Sequence, residues 1–92
     1  MTYKIDCSKK AKEDIMCHRK SGDKQILKKL YVLFDELKEH PETGTVKPEK
    51  LKHQQTNRWS RRITDKHRLV YDIFENIVTV EIIQTHGHYD DK

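Results

Sequence analysis

The stretch Arg68-Leu69-Val70-Tyr71-Asp72-Ile73-Phe74-Glu75-Asn76-Ile77-Val78-Thr79-Val80-Glu81-Ile82-Ile83-Gln84-Thr85-His86 decides the fold. In its first seven residues Leu69, Tyr71 and Ile73 alternate with Arg68, Val70, Asp72 and Phe74. Successive side chains of a strand point to opposite faces, so residues 68–74 read as a strand with one apolar face. Residues 77–86 are rich in β-branched side chains and read as another strand. Between them Glu75-Asn76 is a two-residue connection in which Asn tolerates positive φ, which predicts an antiparallel hairpin.

Upstream, residues 59–63 (Trp-Ser-Arg-Arg-Ile) read as a further strand, and residues 41–48 as a loop containing Gly44. Before the loop the period is helical. Ile26, Leu27, Leu30, Leu33, Phe34 and Leu37 form one continuous face of a 3.6-residue repeat. His40-Pro41 ends that helix, because the residue before a proline avoids helical geometry. Residues 9–20 read as a shorter helix with Ser8 as N-cap, an apolar stripe of Ala11, Ile15 and Met16, and Gly22 supplying a left-handed residue after it. Residues 2–7, with Tyr3 and Ile5 alternating, read as the first strand. Strand, helix, helix and a run of strands is the order of an α+β domain. Its two helices are expected on one face of a small, mainly antiparallel sheet, with the polar face open to a ligand.

At 92 residues the chain makes one domain, residues 1–92, with residues 90–92 expected as a flexible tail. The net charge is +4, and the excess is local. Residues 47–68 hold eight of the 19 basic residues but only two of the 15 acids, which leaves 11 against 13 elsewhere. A basic segment in a balanced chain favours a polyanionic partner. Cys7 and Cys17 form no paired motif, which suggests a reduced, cytoplasmic protein. The N-terminus has no secretory h-region and no stretch approaches transmembrane length, so no membrane association is expected.

Cleaving RNA needs a base to deprotonate a 2′-hydroxyl, a cation for the charge that builds on phosphorus, and an acid for the departing 5′-oxygen. Glu49, Arg68 and His88 have the right chemical types, although they sit on different elements. Taken singly, Glu49 reads as a solvated acid, and Arg61, Arg62 and Arg68 as cover for a sheet face. Trp59 suits the core or a base-stacking surface equally. Tyr31 and Tyr71 fit the core pattern, and His67, on the face of Leu69 and Tyr71, reads as a satisfied, partly buried histidine. Tyr89 has no such pattern to join. His86 and His88 with Asp90 and Asp91 do not define a metal site.

Four segments carry a resemblance: Lys47-Pro48-Glu49-Lys50-Leu51-Lys52-His53, Trp59-Ser60-Arg61-Arg62-Ile63-Thr64, His67-Arg68-Leu69-Val70-Tyr71 and His88-Tyr89. Together they resemble the Txe/YoeB family of toxins in the RelE superfamily. The resemblance is strong over the C-terminal half and rests on length and element order in the N-terminal half. It implies a RelE-like, microbial ribonuclease-type fold and a type II toxin that cuts messenger RNA in the ribosomal A site, so inhibiting translation. Glu49 would be the general base, Arg68 would stabilise the phosphorane-like transition state, His88 would protonate the leaving oxygen, and Tyr89 would position the nucleotide. Lys52, Arg61 and Arg62 would contact phosphates and Trp59 would stack on RNA. No cofactor or metal is implied. The implied partners are mRNA on the bacterial ribosome with ribosomal RNA of both subunits, an antitoxin of the YefM/Phd type, and a second copy in a homodimer.

The chain departs from the family pattern in three places. Asn57 stands where a turn glycine is usual and is expected to take its positive φ. Arg58 replaces an apolar residue and adds charge to the nucleic-acid side. Asp90, Asp91 and Lys92 follow Tyr89, beside the implied acid. A non-catalytic module that binds RNA, or binds an antitoxin as co-repressor, would share the basic segment but would have no use for the acid and base.

Overall fold

Ser8 closes the first strand and opens the first helix. Its Oγ accepts the Ala11 N–H at 3.1 Å and donates to the Ile83 carbonyl at 3.0 Å, so one hydroxyl caps the helix and fastens it to the sheet. The computed structural model describes residues 2–44, 48–52 and 54–87. Strand β1 is Lys4–Cys7, followed by helix α1, Lys9–Ser21, and helix α2, Lys24–Glu39. Gly22, at φ 74°, ends α1 in the left-handed region, and the Asp23 carboxylate then caps α2 by accepting the Ile26 N–H at 3.1 Å. Helix α2 stops at His40, before Pro41, as expected. Strands β2 (Glu49–Lys50), β3 (Arg58–Arg62), β4 (Arg68–Phe74) and β5 (Thr79–Gln84) follow among the described residues.

The five strands form one sheet in the order β1-β5-β4-β3-β2. Only the β1–β5 pair is parallel, because α1 and α2 carry the chain back across the sheet between distant edges. Helix α2 buries Ile26, Leu30, Leu33 and Leu37 against Leu69, Tyr71, Ile73, Val80 and Ile82. Each such side chain contributes about 1.5–3 kcal/mol on leaving water, which is what holds the helical layer on. The α+β architecture matches expectation, and β2 is an addition to it.

Several local expectations do not hold. Met16 is exposed, and Asp14 and His18 take the inward positions of α1 beside Ala11. A polar residue can lie there because each has a backbone partner at the end of β5. Tyr31 is also exposed, unlike Tyr71. The β4–β5 hairpin is antiparallel but does not turn on two residues. A short 3-10 turn at Glu75–Ile77 leads into Val78, and Val78 rather than Asn76 has positive φ, 48°. Asn57 likewise keeps negative φ, and its side-chain oxygen instead accepts the Trp59 Nε1–H at 2.8 Å. No helix among the described residues is long and apolar enough to cross a membrane.

Candidate active site

Strand alternation sorts the basic segment into two groups. Trp59 lies opposite Tyr71 and Arg61 opposite Leu69, on the face covered by the helices. Glu49 lies opposite Ser60, Ser60 opposite Val70, and Arg62 opposite Arg68, on the other face. That face is not open throughout. Ser60, Val70 and Asp72 are buried, and Asp72 is closed over by Arg58, which pairs with it through Nε at 2.7 Å and Nη2 at 2.9 Å, and by Thr56. Arg58 is therefore neutralised rather than offered to a polyanion. Within the basic segment, the groups of this face that stay accessible are Glu49, Arg62 and Arg68 at one end.

There the structure brings two distant residues together. Arg68 Nη2 donates to Glu49 Oε2 at 3.1 Å, across 19 positions of sequence. The Glu49 side chain is 67% exposed and that of Arg68 28%, so the pair is worth only about 0–1 kcal/mol and opens readily for a ligand. Arg62 is exposed and pairs with Asp65 in the β3–β4 turn. Lys52 is exposed just beyond β2.

The chain returns to this end after β5. The Arg68 N–H donates to the Gly87 carbonyl at 2.9 Å, and the Gly87 N–H donates to His67 Nδ1 at 2.9 Å. Gly87 directly precedes His88 in sequence. His88 and Tyr89 lie outside the described residues, as does the Asp90-Asp91-Lys92 tail.

Arg61 and Trp59 are corrected by the structure. Arg61 is fully buried. Its guanidinium donates to the Glu36 carboxylate and to the His40 and Thr43 carbonyls, and its Nε to Tyr71 Oη at 3.1 Å. Tyr71 in turn donates to the Pro41 carbonyl at 2.7 Å, and burial raises its pKa despite the bond from Arg61. Arg61 thus ties the loop after α2 to the sheet and has no face to offer phosphate. Trp59 is half-buried and packs on the core, which turns its ring away from Glu49 and Arg68. The signal was available: Trp59, Arg61 and Ile63 share one parity, so Arg61 falls between two apolar residues on the core face. Glu36, the partner of Arg61, carried no such signal.

Three imidazoles gather beside the site. The ring centroids of His18, His67 and His86 lie 4.5–5.2 Å apart. Among the described residues no group of three His, Cys, Asp or Glu is arranged to hold a metal ion. Cys7 and Cys17 are both free, and burial raises the Cys7 pKa, which keeps that thiol protonated.

Residues 7–89 match the family model described as the YoeB-like toxin of bacterial type II toxin-antitoxin system. The chain belongs to the YoeB family of toxins. Toxin YoeB of Escherichia coli K12 is 41% identical over 64 residues, which are 70% of this chain and 76% of the relative. A YoeB/ParE toxin from Agrobacterium tumefaciens superposes with a TM-score of 0.86 at 32% identity, covering 94% of this chain and 99% of that one. A YoeB dimer from Staphylococcus aureus gives 0.81 at 33% identity, and a YoeB–YefM complex from the same organism 0.78 at 33%; each covers 97% of this chain and all of the other. The RelE-like fold expected from the four sequence segments is thus shown, over the N-terminal half as well.

Proposed function

We propose that this YoeB-family toxin is a metal-independent endoribonuclease that cuts messenger RNA in the ribosomal A site and so stops translation. The observation that carries the reading is the Glu49–Arg68 pair at 3.1 Å, exposed at the sheet end to which Gly87 returns. Glu49 takes the proton of a 2′-hydroxyl as its oxygen attacks phosphorus. Arg68, released from Glu49 to the phosphate, stabilises the charge on the phosphoryl oxygens. The bond to the 5′-oxygen breaks, and His88 supplies the proton that oxygen needs, leaving a 2′,3′-cyclic phosphate. Tyr89 positions the nucleotide, and Lys52 and Arg62 contact flanking phosphates. The three functional groups are amino-acid side chains alone, which is why no cofactor enters the scheme.

The same reading makes the toxin a cytoplasmic partner of translating ribosomes and their RNA. An antitoxin of the YefM/Phd type is its natural inhibitor, in keeping with the Staphylococcus aureus YoeB–YefM complex, and the YoeB dimer from that organism supports self-association. Primer extension on messages after induction tests the assignment. Wild type is expected to leave cuts within translated regions, and Arg68→Ala and His88→Ala to abolish them. Undiminished cutting in both variants rejects these roles for Arg68 and His88, and binding to ribosomes without any cut message favours a non-catalytic module.

A further inference from the structure

Beyond β5 the chain is held by three side chains as well as by the backbone bond from Arg68 to Gly87. The Thr85 N–H donates to Asp14 Oδ2 at 3.1 Å, and the Thr85 carbonyl is 2.9 Å from His18 Nε2. Both groups come from α1, and both are nearly excluded from water, Asp14 at 9% and His18 at 2% exposure. Two residues later the Gly87 N–H meets His67 Nδ1 at 2.9 Å. These bonds fix the protons. A carbonyl only accepts, so His18 Nε2 carries a hydrogen; a backbone N–H only donates, so His67 Nδ1 does not. His67 is therefore neutral, with its hydrogen on Nε2.

We propose that His67 is a positioning residue of the toxin's active site: its bare Nδ1 accepts the N–H of Gly87, the residue that directly precedes His88 in sequence, and a proton taken up at Nδ1 breaks that bond. The proposal rests on the reading of His88 as the general acid. Protonated Nδ1 would present a donor to a donor, which removes the bond and adds repulsion. Asp14 and His18 anchor Thr85, and the Arg68 N–H keeps the Gly87 carbonyl, so the loss is confined to the Gly87 N–H.

The groups facing His67 favour the holding form. His18 comes from α1, His86 from the segment after β5, Asp23 from the connection between the helices, and Lys66 from its own turn. Thr64, Asp65 and Ile26 line the adjoining cleft. Burial first, then the His86 and His18 imidazoles and Lys66, lower the His67 pKa, and Asp23 alone among these opposes them. The bond thus persists at neutral pH and is lost on acidification below the ordinary histidine range.

The test is amide exchange of the ¹⁵N-labelled full chain across pH, with Gly87 read against Leu69 inside the sheet. In wild type, Gly87 should lose about tenfold in protection as His67 titrates, after correction for intrinsic exchange, while Leu69 keeps its own. His67→Ala should leave Gly87 unprotected at every pH. His67→Asn, whose amide oxygen replaces Nδ1 as acceptor without titrating, should keep Gly87 protected throughout. Message cleavage near pH 7 should fall roughly 10–100-fold in His67→Ala and recover in His67→Asn, as expected for a group that places another. Gly87 protection that ignores His67, or full cleavage by His67→Ala once Gly87 is freed, overturns the proposal. Cleavage that survives His88→Ala instead overturns the active-site reading, and the Gly87 exchange data tell the two failures apart.

Discussion

Two arginine–glutamate pairs sit on opposite faces of one sheet, Arg61–Glu36 and Arg68–Glu49, and they do different work. The first is sealed: Arg61 is wholly buried, and its guanidinium also meets two carbonyls and the Tyr71 hydroxyl. The second is a single bond at an exposed end. Chemistry is the same in both, so solvent decides. A buried cation must stay paired, because losing its partner leaves a charge that nothing solvates. An exposed cation loses little by trading a carboxylate for a phosphate. The sheet therefore separates a pair that maintains the fold from a pair exposed to exchange its partners.

The sharpest way to break this contrast is to remove Arg61. Arg61→Ala removes the guanidinium from the Glu36 carboxylate and from two carbonyls, and should cost about 3–5 kcal/mol in urea unfolding. A loss below about 1 kcal/mol would put Arg61 in the same class as Arg68. Gly44 probes the same pair from the loop. A Cβ there would clash with Glu36 Oε1, and φ is 113°. Gly44→Ala should therefore cost about 1–3 kcal/mol. In an Arg61→Ala background, where the guanidinium no longer holds Glu36, the cost should shrink, which a double-mutant cycle would register.

A smaller effect is expected from pH. His67 has a lowered pKa in the folded chain, so its unfolded form binds the proton more readily. Its contribution to stability is complete above an unfolded value of about 6.5 and is lost as pH falls through the folded value. Urea midpoints should thus rise with pH across that window, and His67→Asn should flatten the slope. The smallest effect lies outside both pairs. Val78 is β-branched at φ 48°, a region such residues avoid. Val78→Asn should raise stability by about 1 kcal/mol without altering cleavage, and no gain would mean that packing already offsets the strain.

Much of this molecule is legible in its sequence. The leucine repeat of α2 and the alternation of β4 each have a single period, and each places its element and its buried face correctly. The polar face of α1 was not legible, because Asp14 and His18 look like surface residues until the end of β5 supplies their partners. The turn before β5 hid for a similar reason: Val78 takes a conformation that its own preferences oppose, and the sheet imposes it. In the site, residue type suggested Glu49 and Arg68, but only the β2–β3–β4 pairing makes them neighbours. Arg61 and Arg62 are adjacent in sequence and identical in chemistry, and one residue of strand parity sends them to opposite faces.

Cleavage of ribosome-bound message by Arg61→Met and Arg68→Met, compared per folded molecule, tests the division of labour most directly. Arg68→Met should cut roughly 10²–10³-fold more slowly than wild type, the usual loss for a group that stabilises transition-state charge, while its urea midpoint hardly moves. Arg61→Met should show the reverse, a weakened fold and near-normal cutting by the molecules that remain folded. Wild-type cutting by Arg68→Met, or slow cutting by a fully stable Arg61→Met, would contradict the assignment of the two faces.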